Sequence, residues 1–445
     1  MANVVPFRGI LYNPEKIDHV SNVVAPPYDV ISPEKQDELH DRHPQNVVRL
    51  ILGRSVPTDT EEENPHSRAA GYFQSWLADQ FLVQDKTLAY YLTSVEFMAE
   101  GQQKVRYGLM ALVALEPFDK GIILPHEQTF SKVKSERLQL LKKCKANFSP
   151  IFTFYPDQEE IITILKQEAE NQTPAFDFLD DVDERHRLWR ITSPEVVEKI
   201  YGLMADKQLF IADGHHRYET ALNYREWVRE NDPDYSETHP ANFVMMYLCS
   251  MEDDGLVIFP THRMVTTVDD DILARFIENA RDYFDVSDIP FAPGAYDQGL
   301  QEILEAIKKE TDRTVFGVFI KNRQAFYLLQ LKPGAADNVF GDKIPDVLKQ
   351  LDVTILTRLI FAQLLSISQE GMDDTGFIKY SSKAEKAVEQ VVSGQADVAF
   401  IMNSAKLEHV KNIADNGLIM PRKTTYFYPK AITGLVMNTL TPLEG

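Results

Sequence analysis

The chain has 445 residues, 44% hydrophobic and 25% charged, a globular composition too long for one ordinary core, so two domains are expected. Its 46 Lys and Arg against 67 Asp and Glu give a formal charge of −21, a field that repels DNA, RNA and anionic membranes. Only Cys144 and Cys249 are present, without C-x-x-C spacing, so neither a disulfide framework nor a metal ligand set is signalled.

Residues Met1 to Gly9 lack an apolar leader core, and no stretch reaches the length of an apolar membrane span. The expected setting is cytoplasmic, without membrane or nucleic-acid partners; oligomeric state is not legible.

In chain order, Pro26-Pro27-Tyr28-Asp29 is a stiff extended segment, and Ser32-Pro33-Glu34-Lys35 starts a short helix through a cap and a first-turn proline. Arg68 to Asp79 has Tyr72, Trp76 and Leu77 at helical spacing. Ala89–Met98 and Val105–Glu116 read as a hairpin around Gly101. Lys134–Lys145 is a helix with basic residues at its C-terminal end. Short strands follow at Ile151–Tyr155, His186–Ile191 and Leu209–Ala212, with a helix at Pro194–Ala205. Asn242–Ser250 and Leu256–Pro260 flank Glu252-Asp253-Asp254-Gly255 as a second hairpin. Beyond Val268 come helices at Asp269–Tyr283 and Gln298–Glu310, then strands at Thr314–Ile320 and Ala325–Leu331. A long helix over about Ile344–Leu365, a helix at Ala384–Val392, the strand Ala396–Met402 and a helix near Ala405–Asp415 complete the series. The fold class is α+β, with mixed sheets in residues 1–265 and a second α/β region in 266–445.

The densest chemistry follows Leu209-Phe210-Ile211-Ala212, at Asp213-Gly214-His215-His216-Arg217. A buried strand, a tight turn and a helix start aim backbone N–H groups at one point, where the helix dipole favours an anion. Arg217 offers a planar fork for oxyanions, and His215 and His216 can donate to them or move protons. Asp213 has three candidate uses: to orient a histidine, hold a magnesium ion, or cap the helix. Asp-Gly alone is an ordinary turn, but three cationic residue types on a first helical turn oppose the dipole and call for a function.

Other groups carry weaker signals. His262 and Arg263 follow a strand and offer a second cationic contact or a surface polar cluster. Lys132, Lys134, Arg137, Lys142 and Lys143 read as a solvated helix face more readily than as a pocket rim. Arg422 and Lys423 precede Tyr426-Phe427-Tyr428 and suit phosphate as well as they suit packing. Asp180, Asp181, Asp183 and Glu184 lack EF-hand spacing and read as a solvated loop. Asp269 caps a helix. No P-loop, dinucleotide fingerprint, nucleophile elbow or zinc-protease motif occurs.

Ile211-Ala212-Asp213-Gly214-His215-His216-Arg217-Tyr218 resembles the most recognisable stretch of the bacterial and archaeal domain-of-unknown-function family 1015. Pro6-Phe7-Arg8-Gly9, Ala25-Pro26-Pro27-Tyr28-Asp29-Val30, His126-Glu127, Asn147-Phe148-Ser149-Pro150, Pro260-Thr261-His262-Arg263 and the run Met420 to Lys430 match it in order. The turn, with a preceding Pro-His-Glu segment, also resembles the free-serine kinases of the ParB/sulfiredoxin-like fold. That resemblance implies a catalytic and phosphate-gripping turn of Asp213, Gly214, His215, His216 and Arg217, and Glu127 as the base. It also implies Mg²⁺ with ADP or ATP. The expected function is nucleotide-dependent phosphoryl transfer to or from a small hydroxylated metabolite, serine or phosphoserine being favoured, with His262, Arg263, Arg422 and Lys423 as further phosphate contacts. The alternative is a non-catalytic sensor of a nucleotide or phosphometabolite.

Overall fold

A computed structural model describes residues 2–127, 131–158, 160–310, 313–373 and 376–441. The chain forms two compact units, Met1–Val257 with Pro429–Gly445, and Ile258–Tyr428. The expected single boundary at 265 thus differs in two places, at Val257 and in the return of the last segment. That return has a backbone cause. Ile10 and Met437 exchange N–H···O bonds of 2.8 and 2.9 Å, and Ala25 and Thr433 exchange bonds of 3.2 and 2.8 Å.

The fold is α+β. In the first unit the strands are β1 (Val4–Val5), β2 (Tyr90–Ala99), β3 (Gln102–Ala114), β4 (Ile123–Leu124), β5 (Ile151–Tyr155), β6 (Phe176–Leu179), β7 (Arg185–Ile191), β8 (Leu209–Asp213) and β9 (Phe243–Ser250). They form one mixed sheet, ordered β4-β8-β5-β9-β3-β2-β7-β6, with β1 beside β3. The helices used below are α1 (Pro33–Arg42), α2 (Pro65–Ala78), α3 (Ser131–Cys144), α4 (Glu160–Glu170), α5 (Pro194–Met204) and α6 (His215–Asn231). Ser32 caps α1 as expected, and Asn64 caps α2 in a capping box, so that helix starts three residues upstream of the anticipated Arg68.

Alternation along the strands sends Leu92, Leu109, Ala111, Ile151, Leu209, Ile211, Met246 and Leu248 to one face. They pack there with Ile161 and Leu165 of α4 and Ile200 and Met204 of α5. The opposite face carries polar and aromatic side chains. Val95 sits directly across from both Arg106 and His186, while Tyr247 sits across from Met110 and Phe152.

The second unit has β10 (His262–Val265), β11 (Phe284–Pro290), β12 (Val315–Ile320), β13 (Ala325–Leu331), β14 (Ile378–Ser381) and β15 (Val398–Ile401). Their order is β11-β13-β12-β15-β10-β14, antiparallel throughout. Helix α7 (Asp270–Ala280) and the π-helix Leu356–Leu364 join one core, and α8 (Tyr296–Lys309) and α9 (Ala384–Val392) the other.

Two sequence expectations are corrected. Residues 243–259 are not a hairpin: β9 pairs with β3 and β5, so both its edges are filled, and Val257–Phe259 pairs with Tyr426–Tyr428. The long helix over 344–365 is broken into Asp346–Lys349, Asp352–Ile355 and the π-helix. Pro345 precedes the first piece, and Asp352, whose carboxyl burial pushes up to about 6, opens the second. An amphipathic pattern reports a buried stripe, not an unbroken hydrogen-bond ladder.

A Cβ at Gly108 would lie 2.0 Å from the Tyr247 ring, whereas one at Gly71, inside α2, meets nothing within 4 Å. Gly108→Ala is therefore expected to lose about 1–3 kcal/mol in urea denaturation through overpacking. Gly71→Ala is expected to gain roughly 0.5–1 kcal/mol by restricting the unfolded chain and favouring helix.

Candidate active site

The strand runs one residue beyond the expected Ala212, to Asp213, and Gly214, at φ +96°, turns the chain directly into α6. Glycine is required there twice over: the backbone is left-handed, and a Cβ would approach Arg217 Nε to 2.9 Å. No side chain caps α6, so its opening amides depend on other partners.

Asp213 is held by two cations. Its Oδ1 accepts from Lys430 Nζ at 2.6 Å and its Oδ2 from Arg217 Nη2 at 2.5 Å, while Arg217 Nη1 donates to the Pro150 carbonyl. All three side chains are nearly buried, at 12–14% exposure. Burial works to raise the Asp213 pKa, but Lys430 and Arg217 together outweigh it and hold the carboxyl well below the usual carboxylate range. The Arg217 fork is thus already bonded on one edge rather than wholly free. Asp213, with both oxygens bonded to cations, does not fit as a magnesium ligand, nor does it cap the helix. Lys430, its other partner, closes the run from Met420, and no local pattern marks it because its partner lies 217 positions away.

His215 is buried, and its Nε2 accepts the backbone N–H of His126 at 3.2 Å; the two rings meet edge to face at 4.7 Å. The accepting Nε2 leaves the proton on Nδ1. Burial, then the neighbouring His126, push the His215 pKa well down, and burial pushes His126 down to about 4. His215 is therefore a neutral clamp on the Pro125-His126-Glu127 loop rather than an exposed proton carrier. Glu127, half-buried, is the next residue of that loop. His216 is half-buried on the same turn, its carbonyl accepting from Thr220 Oγ1 at 2.6 Å.

Two cavities adjoin the turn. The first is lined by Arg217, Thr220, Tyr28, Arg137, Phe148 and Ser149, among others. Arg137, expected on a solvated face, is buried, stacks over Tyr28 at 4.3 Å and donates to the Ile51 carbonyl at 2.7 Å. Lys134 of the same helix pairs with Glu219 at 2.5 Å, Lys142 lies over the Trp227 ring, and the side chain of Lys132 lies outside the described residues. The second, smaller cavity is lined by Lys430, Pro150, Tyr247, Arg106 and His186, among others.

The remaining candidates belong to the second unit or to other uses. His262 and Arg263 are buried, not an accessible cationic pair. His262 Nδ1 accepts from Met402 N at 3.2 Å, and Arg263 donates to the Thr261 and Lys423 carbonyls at 2.7 and 2.9 Å. Burial lowers Arg263 to about 10 and His262 to about 4. Lys423 is exposed and Arg422 half-buried in the turn that presents that carbonyl. Asp269 caps α7 as expected. The 180–184 segment is not merely solvated: Glu184 and His186 are buried, and His186 Nε2 lies 3.2 Å from Asp180. With Asp180 they are three groups whose ligand atoms lie within 4.8 Å of one another.

Below about pH 6.5 the unfolded chain protonates histidines that the folded chain keeps neutral, so stability contributed by His126, His215 and His262 is lost as pH falls from 6.5 towards 4. The expected slope is roughly 1.4 kcal/mol per pH unit for each such group. Urea midpoints at pH 7.5 and 5.0 measure it, and His262→Asn, which keeps an acceptor for Met402 N, is expected to lose less on acidification. Asp213→Asn removes the carboxylate that two buried cations share and is expected to cost about 3–5 kcal/mol. Lys430→Met added to it should restore part of that loss.

No curated protein matches the chain. Among solved structures, a mutant free serine kinase in complex with AMP is similar at TM-score 0.35 and 13% identity, covering 72% of this chain and 89% of that one. A conserved hypothetical protein from Pyrococcus furiosus is similar at TM-score 0.31 and 13% identity (72% and 90% covered). SbnI from Staphylococcus aureus, C-terminally truncated, is similar at TM-score 0.31 and 9% identity (74% and 82%). Among the described residues no helix is long and apolar enough to cross a membrane. One family profile matches residues 4–354, and the chain belongs to that family, described as protein of unknown function (DUF1015).

Proposed function

We propose that the Asp213–Arg217 turn is the centre of a nucleotide-dependent phosphoryl transfer to or from a small hydroxylated metabolite, with free serine the favoured acceptor or phosphoserine the favoured donor. One observation carries the reading: among Asp213, Arg217 and Lys430, two cations face one carboxylate where two cavities meet. Two cations gathered next to a helix start without a side-chain cap suit a transferring phosphoryl group.

The Asn147–Pro150 segment divides the space. Phe148 and Ser149 line the larger cavity and Pro150 the smaller. The nucleotide takes the larger, with Arg217 and Arg137 towards its phosphates, and the metabolite takes the smaller. Its hydroxyl oxygen attacks the terminal phosphorus, its proton passes to Glu127, and the bond to the nucleotide's bridging oxygen breaks. Such a transfer mainly needs positioning and charge neutralisation. Magnesium is expected with the nucleotide by resemblance, and no step here runs through it. His262, Arg263, Arg422 and Lys423 take no part in this reading.

Incubation with ATP or ADP, Mg²⁺ and serine, followed by ³¹P NMR, is expected to show a new phosphate ester. Glu127→Gln should lower turnover about 10²–10⁴-fold while nucleotide binding persists. His215→Gln, which can keep an acceptor near His126 N, should retain more activity than His215→Ala. Nucleotide binding without any ester would establish the sensor instead.

A further inference from the structure

We propose that Arg106 is the receptor for a carboxylate of the small molecule held in the cavity between Lys430 and His186. The inference rests on the transfer reading for the identity of that molecule as the acceptor, but not for the presence of the site.

Arg106 is 1% exposed and central in the sheet, an expensive place for a charge. Its guanidinium lies between two rings, 4.7 Å from the centre of Phe152 and 5.2 Å from that of Tyr247. Nε donates to the Tyr247 hydroxyl at 3.0 Å and Nη1 to the Pro429 carbonyl at 2.5 Å. Among the described residues Nη2 donates to nothing and no carboxylate pairs with the group. Asp253 senses its charge without touching it, its own carboxylate accepting from the Tyr107 and Gly255 amides. A buried cation with neutral partners and one unused edge is completed by an anion.

The cavity gives that edge somewhere to face. Arg106, Met110 and Tyr247 lie on one side of the sheet and line it together with Pro150, His186 and Lys430. Aromatic clamping fixes the guanidinium plane, which suits a planar carboxylate better than it suits a freely rotating group. The room there is small, so a small hydroxy or amino acid suits it better than a nucleotide does. Lys430 reaches from the same wall to Asp213, so an acid held on Arg106 lies alongside the turn.

Calorimetry without nucleotide tests the site on the intact chain, using L-serine and D-glycerate against L-serinamide and D-glyceramide. The acids are expected to bind about 10–100-fold more tightly than the amides, the worth of a charge-assisted hydrogen bond. Arg106→Lys, which keeps the charge but not the fork, should erase most of that preference, and Arg106→Gln all of it; near-ultraviolet circular dichroism checks that each variant is folded. Equal affinity for acids and amides, no binding of either acid, or a preference unchanged in folded Arg106→Lys overturns the proposal. Acid preference through Arg106 with no phosphate ester formed would leave the carboxylate site standing and remove only the transfer reading.

Discussion

The buried contact of Asp213 with Lys430 and Arg217 constrains the rest of the first unit. A carboxylate at the end of a sheet strand must be matched once water is removed, and here the match comes from two directions. Arg217 brings the first turn of α6 and the Pro150 carbonyl. Lys430 brings the C-terminal segment back across the sheet, where Thr433 and Met437 add backbone bonds to Ala25 and Ile10. Neither cavity would have its present wall without that contact.

A division of labour between the two histidines of the turn follows. The ring of His215 is turned inward, neutral, and bonded to the chain at His126. Its task is to place a loop, and that loop carries Glu127. His216, half-buried, follows it on the same turn, and its carbonyl accepts from Thr220. Adjacent residues at a helix start point in different directions, so two histidines side by side do not share one role.

Strand alternation also separates tasks across the main sheet. One face is filled by aliphatic side chains against α4 and α5 and needs no further account than burial. The other holds Arg106, Tyr247, Phe152 and His186, residues whose polar atoms need partners in a confined space. Chemistry on such a face is more rigidly placed than on a loop, because each side chain is fixed by its strand register.

Local pattern by itself determined the strand–Gly–helix turn at 209–231, the hairpin at 90–114, the caps at Ser32 and Asp269, and the α+β class. Each depends on neighbours within a few residues: a buried run, a glycine free to take positive φ, an oxygen able to cap an amide. What the tertiary structure alone decided was pairing at a distance. Val257–Phe259 left the sheet because both edges of β9 were occupied, and the 344–365 stripe broke into short helices. Arg137 proved buried against Tyr28, His262 and Arg263 entered a core, and Lys430 found Asp213. Charge and hydrogen-bond partners are chosen by proximity in space, and a side chain's type alone does not say whether water or a carboxylate will neutralise it.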